Sequence, residues 1–160
     1  MAIKGILYCL VLVMFLASFA SASSYDVNYI QEDGKILVKS IISLDSIGEI
    51  SLEIPKDARA LSVSKNYSLN DEILTVEGRE IQISYITEEP IDHSGSDYYF
   101  TNRLIFERDF DSVVVKLFLK EGFVVDVVDI YPKGARIETD GKSIIIDWDF
   151  GSVNAGKSEA

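Results

Sequence analysis

Glu49-Ile50-Ser51-Leu52-Glu53-Ile54 alternates polar and apolar side chains without a break. Successive side chains of an extended chain point to opposite faces, so Ile50, Leu52 and Ile54 line one side while Glu49, Ser51 and Glu53 line the other. One face is dry and one is wet, the mark of a strand packed on a core from one side. A helix would scatter the same residues around its circumference. The period of two recurs at residues 36–44, 81–86, 98–106, 113–119, 123–130 and 144–150, with shorter runs at 25–30, 61–63, 73–76 and 136–138. Helical spacing is nowhere sustained.

Turn chemistry separates these runs. Asp33-Gly34, Glu77-Gly78, Glu121-Gly122 and Asp140-Gly141 each place glycine where a tight hairpin needs positive φ. In Tyr131-Pro132-Lys133-Gly134 the proline and glycine occupy the positions a type I turn prefers. About ten short strands joined by short links predict an all-β, antiparallel two-sheet β-sandwich, because two half-wet sheets bury their apolar faces by packing on each other. A weak internal repeat is also present. Residues 74–85 (LTVEGREIQISY) resemble 137–148 (IETDGKSIIIDW), about 65 residues on; the same pattern arises wherever an acidic-Gly hairpin joins amphipathic strands.

The start of the chain reads differently. Lys4 precedes the apolar run ILYCLVLVMFL at 6–16, and Ala20-Ser21-Ala22 then supplies the small-x-small pattern of a signal-peptidase site, with Ser23 as the new N-terminus. No charged residue occurs from Gly5 to Tyr25, so an uncut segment is long enough to act as an N-terminal anchor helix. The expected organisation is a signal peptide or anchor at 1–22, a β-sandwich domain at 23–150 and a polar tail at 151–160. Either fate of the leader puts the domain outside the cytoplasm, secreted or anchored.

Composition narrows the function. With 48% hydrophobic and 11% aromatic residues the chain is neither disordered nor fibrous. Lys4 is the only charged residue before Asp26, so the part beyond the leader has 14 basic against 26 acidic side chains, a formal charge of −12. Nucleic-acid binding needs clustered Lys and Arg, which this balance excludes. Cations, glycans or other surface proteins are the expected partners, although negative charge also serves solubility alone. The single cysteine, Cys9, lies in the leader, leaving the domain without a disulfide or a thiol nucleophile.

Several of these features occur together: Asp33-Gly34, Ile54-Pro55-Lys56-Asp57-Ala58, Tyr85-Ile86-Thr87, Tyr98-Tyr99-Phe100, Tyr131-Pro132-x-Gly134, and Asp140-Gly141 leading through Ile144 and Ile146 to Trp148. In this combination, behind a signal segment, the chain resembles the extracytoplasmic β-sandwich domain of uncharacterised archaeal surface proteins. The resemblance spans nearly the whole chain beyond the leader. It implies a surface location, often beside a transmembrane helix and sometimes a cytoplasmic winged-helix domain, neither of which follows before Ala160. It supplies no catalytic residues.

Candidate chemistry is sparse. The only histidine, His93, sits in an acidic, glycine-containing segment expected to be a solvated loop. A hydrolase would use it as base for Ser94 or Ser96, but no nucleophile-elbow pattern surrounds them. Glu88, Glu89, Asp92 and Asp97 of the same segment are calcium candidates, without EF-hand spacing. Asp109 with Asp111, and Asp147 with Asp149, are carboxylate pairs of the kind a glycosidase uses. Asn66-Tyr67-Ser68 is an N-glycosylation acceptor, placing Asn66 on a surface loop. Trp148, Tyr85, Tyr98, Tyr99 and Tyr131 are candidates for a sugar-stacking platform, and equally for core packing.

No cofactor and no catalytic residue is expected. By subtraction, the sequence points to a non-catalytic exported domain for adhesion, assembly or sensing. A carbohydrate-binding or carbohydrate-active reading would require an exposed aromatic row or two acids facing across a cleft. A strand-donating surface polymer would require residues 23–30 to stand detached from their own sheet.

Overall fold

A computed structural model describes residues 22–94, 97–101, 104–126, 130–156 and 158–159; the leader expected at 1–22 lies, apart from Ala22, outside them. All the regular structure described is strand: β1 (Ser24–Glu32), β2 (Lys35–Glu53), β3 (Arg59–Val63), β4 (Tyr67–Asn70), β5 (Ile73–Thr87), β6 (Ile91–Ser94), β7 (Asp97–Phe100), β8 (Leu104–Ile105), β9 (Phe110–Lys120), β10 (Arg136–Thr139), β11 (Ser143–Val153) and β12 (Ser158–Glu159). Eight form one sheet in the order β10-β11-β9-β1-β2-β5-β3, with β4 also on β5, while β6-β7 and β8-β12 make two small ribbons. No helix among the described residues is long and apolar enough to cross a membrane.

The sheet is mixed, which corrects the antiparallel expectation. β1 runs parallel to β9, from Ser24 opposite Ser112 to Ile30 opposite Phe118. Parallel neighbours need a long connection, and the chain between β1 and β9 supplies one through seven intervening strands, β2 to β8. The hairpin at Asp33-Gly34 forms as read: Glu32 pairs with Lys35, and both turn residues have positive φ, 51° and 77°, as a type I′ turn requires.

Glu77-Gly78 does not turn. The runs at 73–76 and 81–86 join into the 15-residue β5, just as 36–44 and 49–54 join into the 19-residue β2. Their shared ladder shifts between Ser43 and Gly48, where residues 44–47 of β2 stand against Arg79 alone, three more than its partner strand supplies, and Gly48 then lies opposite Gly78. Both glycines sit close to neighbouring side chains. A Cβ on Gly48 would come within 3.1 Å of an Arg108 guanidinium nitrogen, and one on Gly78 within 3.2 Å of Ile81 and 3.3 Å of Lys65.

The two resembling stretches therefore fold differently: 74–85 is one continuous strand, whereas 137–148 is the β10-β11 hairpin with Gly141 at φ 84° in its turn. Residues 123–126, expected to open a strand, form none; 127–129 lie outside the described residues. Strand pairing also continues past residue 150. Bulges after Asp149 and Gly151 re-aim β11 so that Val153 is buried opposite Phe110. The Tyr131–Pro132 peptide is cis.

The core gathers the inward residues of the central strands, among them Val27, Val38, Ile42, Leu74, Ile81, Val113 and Leu117, all nearly inaccessible. The alternation of residues 49–54 holds: Ile50 and Ile54 are buried, Leu52 is half-buried and packs on the core, and Glu49, Ser51 and Glu53 face outward. Phe106 closes one end, edge-on to Tyr25 and Phe110 at centroid separations of 5.8 and 6.0 Å.

A second anchor is polar. The Asp57 carboxylate accepts hydrogen bonds from the buried Thr87 hydroxyl and from the Glu88 N–H at 2.6 Å, tying the β2-β3 turn to the end of β5. Burial pushes the Asp57 carboxyl up, but hydrogen bonds from Thr87, Glu88 and its own N–H, with the charge of Arg59, outweigh that and hold it below the usual range. An Asp depressed in the folded state contributes stability that is present above its unfolded value of about 3.9 and is lost as pH falls through the lower folded value. Asp57→Ala should therefore flatten the acid limb of a plot of Tm against pH. At pH 7 it should lower stability by about 1–3 kcal/mol, since the Thr87 hydroxyl loses its acceptor.

Candidate interaction surface

Strands that bury one face in the core are expected to be polar on the other. Here that face carries an apolar row. Ile145 of β11 stands opposite Phe118 of β9, Phe118 opposite Ile30 of β1, Ile30 opposite Leu37 of β2, and Leu37 opposite Ile86 of β5. All five are half-buried, and their neighbours along each strand, such as Tyr29, Ile36, Leu117 and Ile146, are the ones that enter the core. Four inter-strand spacings make the row about 19 Å long.

A polar row runs beside it: Arg136, Asp147, Lys116, Asn28, Lys39 and Ser84 occupy successive strands in register. Asp147 is its anchor. Its carboxylate is buried, accepts a hydrogen bond from Arg136 at 2.9 Å and lies 3.8 Å from the Lys116 ammonium. Its second oxygen, Oδ1, has no partner among the described residues. The third row alternates Asp149, Val114, Asp26, Ile41 and Gln82, with Ile41 44% exposed. Burial raises the Asp26 carboxyl above its usual range, partly offset by the charge of Lys116.

One concavity among the described residues is small. About 160 Å³ lies between Tyr25, Ile42, Ile50, Phe106, Phe110 and Arg108, with Glu49 and Glu107 at its edge. Arg108 reaches Asp45 at 3.8 Å. Ser51 completes the polar lining of the space with Glu49, Glu107 and Arg108.

The sequence candidates scatter. The segment from Glu88 to Asp97 is no loop at its end, for β6 and β7 form a hairpin with His93 opposite Tyr98. The side chains of Asp92, His93, Ser94, Ser96, Asp97 and Tyr98 lie outside the described residues. Of the other two calcium candidates, Glu88 is exposed and 3.7 Å from Lys35, while the Glu89 N–H is bonded to Thr87. Among the described residues no three His, Cys, Asp or Glu side chains converge as metal ligands.

The carboxylates of the Asp pairs are engaged one by one in hydrogen bonds. Asp109 accepts from the Ala155 N–H, Asp111 from Ser23 and Asp149 from the Gly151 N–H. No two of these bonds bring acids together across a cleft. Trp148 is a core residue whose indole N–H donates to the Pro132 carbonyl at 3.0 Å, and Tyr85 packs on the core. Among the described side chains the exposed tyrosines, Tyr67, Tyr99 and Tyr131, sit on separate elements. Asn66 is exposed between β3 and β4, where a glycan would fit. β1 is hydrogen-bonded along both edges, so residues 24–30 are not a detached donor strand.

The outward apolar row was missed by a reading that looked only for alternation. Its signal is where alternation fails: Ile36-Leu37-Val38, Leu117-Phe118-Leu119 and Ile144-Ile145-Ile146 are apolar on both faces. No protein-family model matches the chain, and no curated protein matches it.

Proposed function

We propose that this is a non-catalytic domain of the cell surface that works by binding another surface protein through the outer face of its sheet. The observation that supports it is the row Ile145-Phe118-Ile30-Leu37-Ile86, five aliphatic or aromatic side chains on adjacent strands, flanked by the charges of Asp147, Lys116 and Arg136. An apolar centre with a polar rim is how protein interfaces are built. A glycan would call for exposed aromatic platforms, so a protein partner fits better. The leader at 1–22 supports export, and the surface proteins the chain resembles support the location.

The two-layer packing of a sandwich belongs to the same reading. It is supported by the register shift between Ser43 and Gly48 and by the common core that Ile50, Leu74 and Val76, beyond the shift, form with Val27 and Val38. In this reading one sheet serves as both layers, and its other face is the binding surface.

A photo-crosslinking residue at Phe118 tests the binding face in cells. The expected result is an adduct of defined mass that is absent when the probe sits at exposed Lys142, and that is lost when Leu37→Lys is added. Absence of any adduct, together with hydrolysis of esters, peptides or glycosides that disappears in His93→Ala, would replace this reading with an enzymatic one.

A further inference from the structure

Ser23 is held more tightly than the first residue before a strand usually is. It is 7% exposed, while Ala22 before it is open to solvent. Its carbonyl oxygen accepts from the backbone N–H groups of Asp111 and Ser112 at 3.0 and 3.2 Å. Its own N–H donates to Asp111 Oδ2 at 2.8 Å, and its hydroxyl donates to the same oxygen at 3.0 Å. Three polar atoms of one residue, its amide nitrogen, carbonyl oxygen and hydroxyl oxygen, are thus fitted to the start of β9, with Asp111 lying 88 positions away in sequence. The group aimed at the carboxylate is the nitrogen that cleavage after Ala20-Ser21-Ala22 would set free.

We propose that Asp111 is the receptor for a new N-terminus: hydrolysis of the Ala22–Ser23 bond converts the Ser23 amide into an α-ammonium that docks on the Asp111 carboxylate and locks β1 to β9. Water adds across the peptide bond, leaving a carboxylate on Ala22 and an amine on Ser23, which takes up a proton near neutral pH. A neutral N–H···O⁻ contact becomes a charge-assisted pair at the same place, shielded by the burial of Ser23. Processing then stabilises the fold as well as releasing it. The inference rests on the export reading, but it assigns Asp111 a role that export alone does not need.

The test uses the full chain made in an exporting host, so that the host's own peptidase generates the product. Intact mass should show Ser23 as the first residue. Asp111→Asn should lower the Tm of that product by about 5 °C. Inserting one alanine between Ala22 and Ser23 leaves the cleavage signal in place but moves the ammonium about 3.5 Å along the chain. In that product the same substitution should cost less than about 2 °C, because an amide again faces Asp111.

Acylation of the α-amine needs no change at Asp111. It should run about tenfold slower for the Ser23 product than for the inserted one, as one unit of raised pKa implies. Equal melting losses and equal acylation rates would overturn the docking. A product that keeps Met1 in the cytoplasm would overturn export and the docking with it, and the mass distinguishes the two failures.

Discussion

Leu74→Asp abolishes cooperative folding, whereas Glu53→Lys leaves the melting curve within about 0.5 kcal/mol of wild type. Leu74 is fully buried opposite Leu52, so the aspartate has no water and no cation partner to offset its desolvation. Glu53 is exposed, and its cross-strand partner Ile73 is 45% exposed, so the change of charge meets solvent on both strands. Leu52→Asp is the intermediate case, because Leu52 is only half-buried. Circular dichroism melts of the three variants check the register directly. A one-residue slip of β2 would reverse the order of Leu52→Asp and Glu53→Lys, since it exchanges the faces of every side chain on that strand and leaves Leu74 of β5 in place.

Phe106→Ala lowers the unfolding free energy by about 3–5 kcal/mol, the cost of a cavity the size of a ring in a packed core. Phe106 is 2% exposed and touches Tyr25 and Phe110 edge-on, while those two rings also meet at 5.7 Å. Part of the loss is the aromatic pairing itself, about 0.5–1.5 kcal/mol per pair. Phe106→Leu should recover more than half of the difference. Denaturant titration measures both, and an unchanged slope would show that the denatured state is not the cause.

How much of this was legible depends on whether the deciding forces are local. The face of each residue in 49–54 follows from alternation alone, and Ile50 and Ile54 are buried as the pattern demands. Asp33-Gly34 makes its hairpin because both residues tolerate positive φ and the flanking strands pair immediately. Glu77-Gly78 carries the same two-residue signal and fails, since Gly48 and its bulge stand across the ladder and keep the strand going. No short-range pattern marks that partner. The parallel β1-β9 pair is illegible for the same reason: β1 reads as an ordinary half-buried strand, and nothing within it says that its second edge is filled by residues 112–118. Of the candidate site, the acidic pairs were visible but their hydrogen bonds were not, because Ser23 and Ala155 are remote from Asp111 and Asp109 in sequence. The outer apolar row was written in the triplets at 36–38, 117–119 and 144–146, which a search for strict alternation passes over.

The central place of β1 has a consequence for the order of assembly. During synthesis β1 and β2 emerge early and close as a hairpin, a local event completed in microseconds. The other edge of β1 stays bare until its partner at residues 112–118 is made, about 85 residues after β1 is complete. At about 5–20 residues per second that delay is roughly 4–17 s. An uncovered strand edge of this length invites pairing with a neighbouring nascent chain. Aggregation during biogenesis should therefore depend on the rate at which the second half of the chain is delivered, and slow codons placed between residues 90 and 110 should increase it.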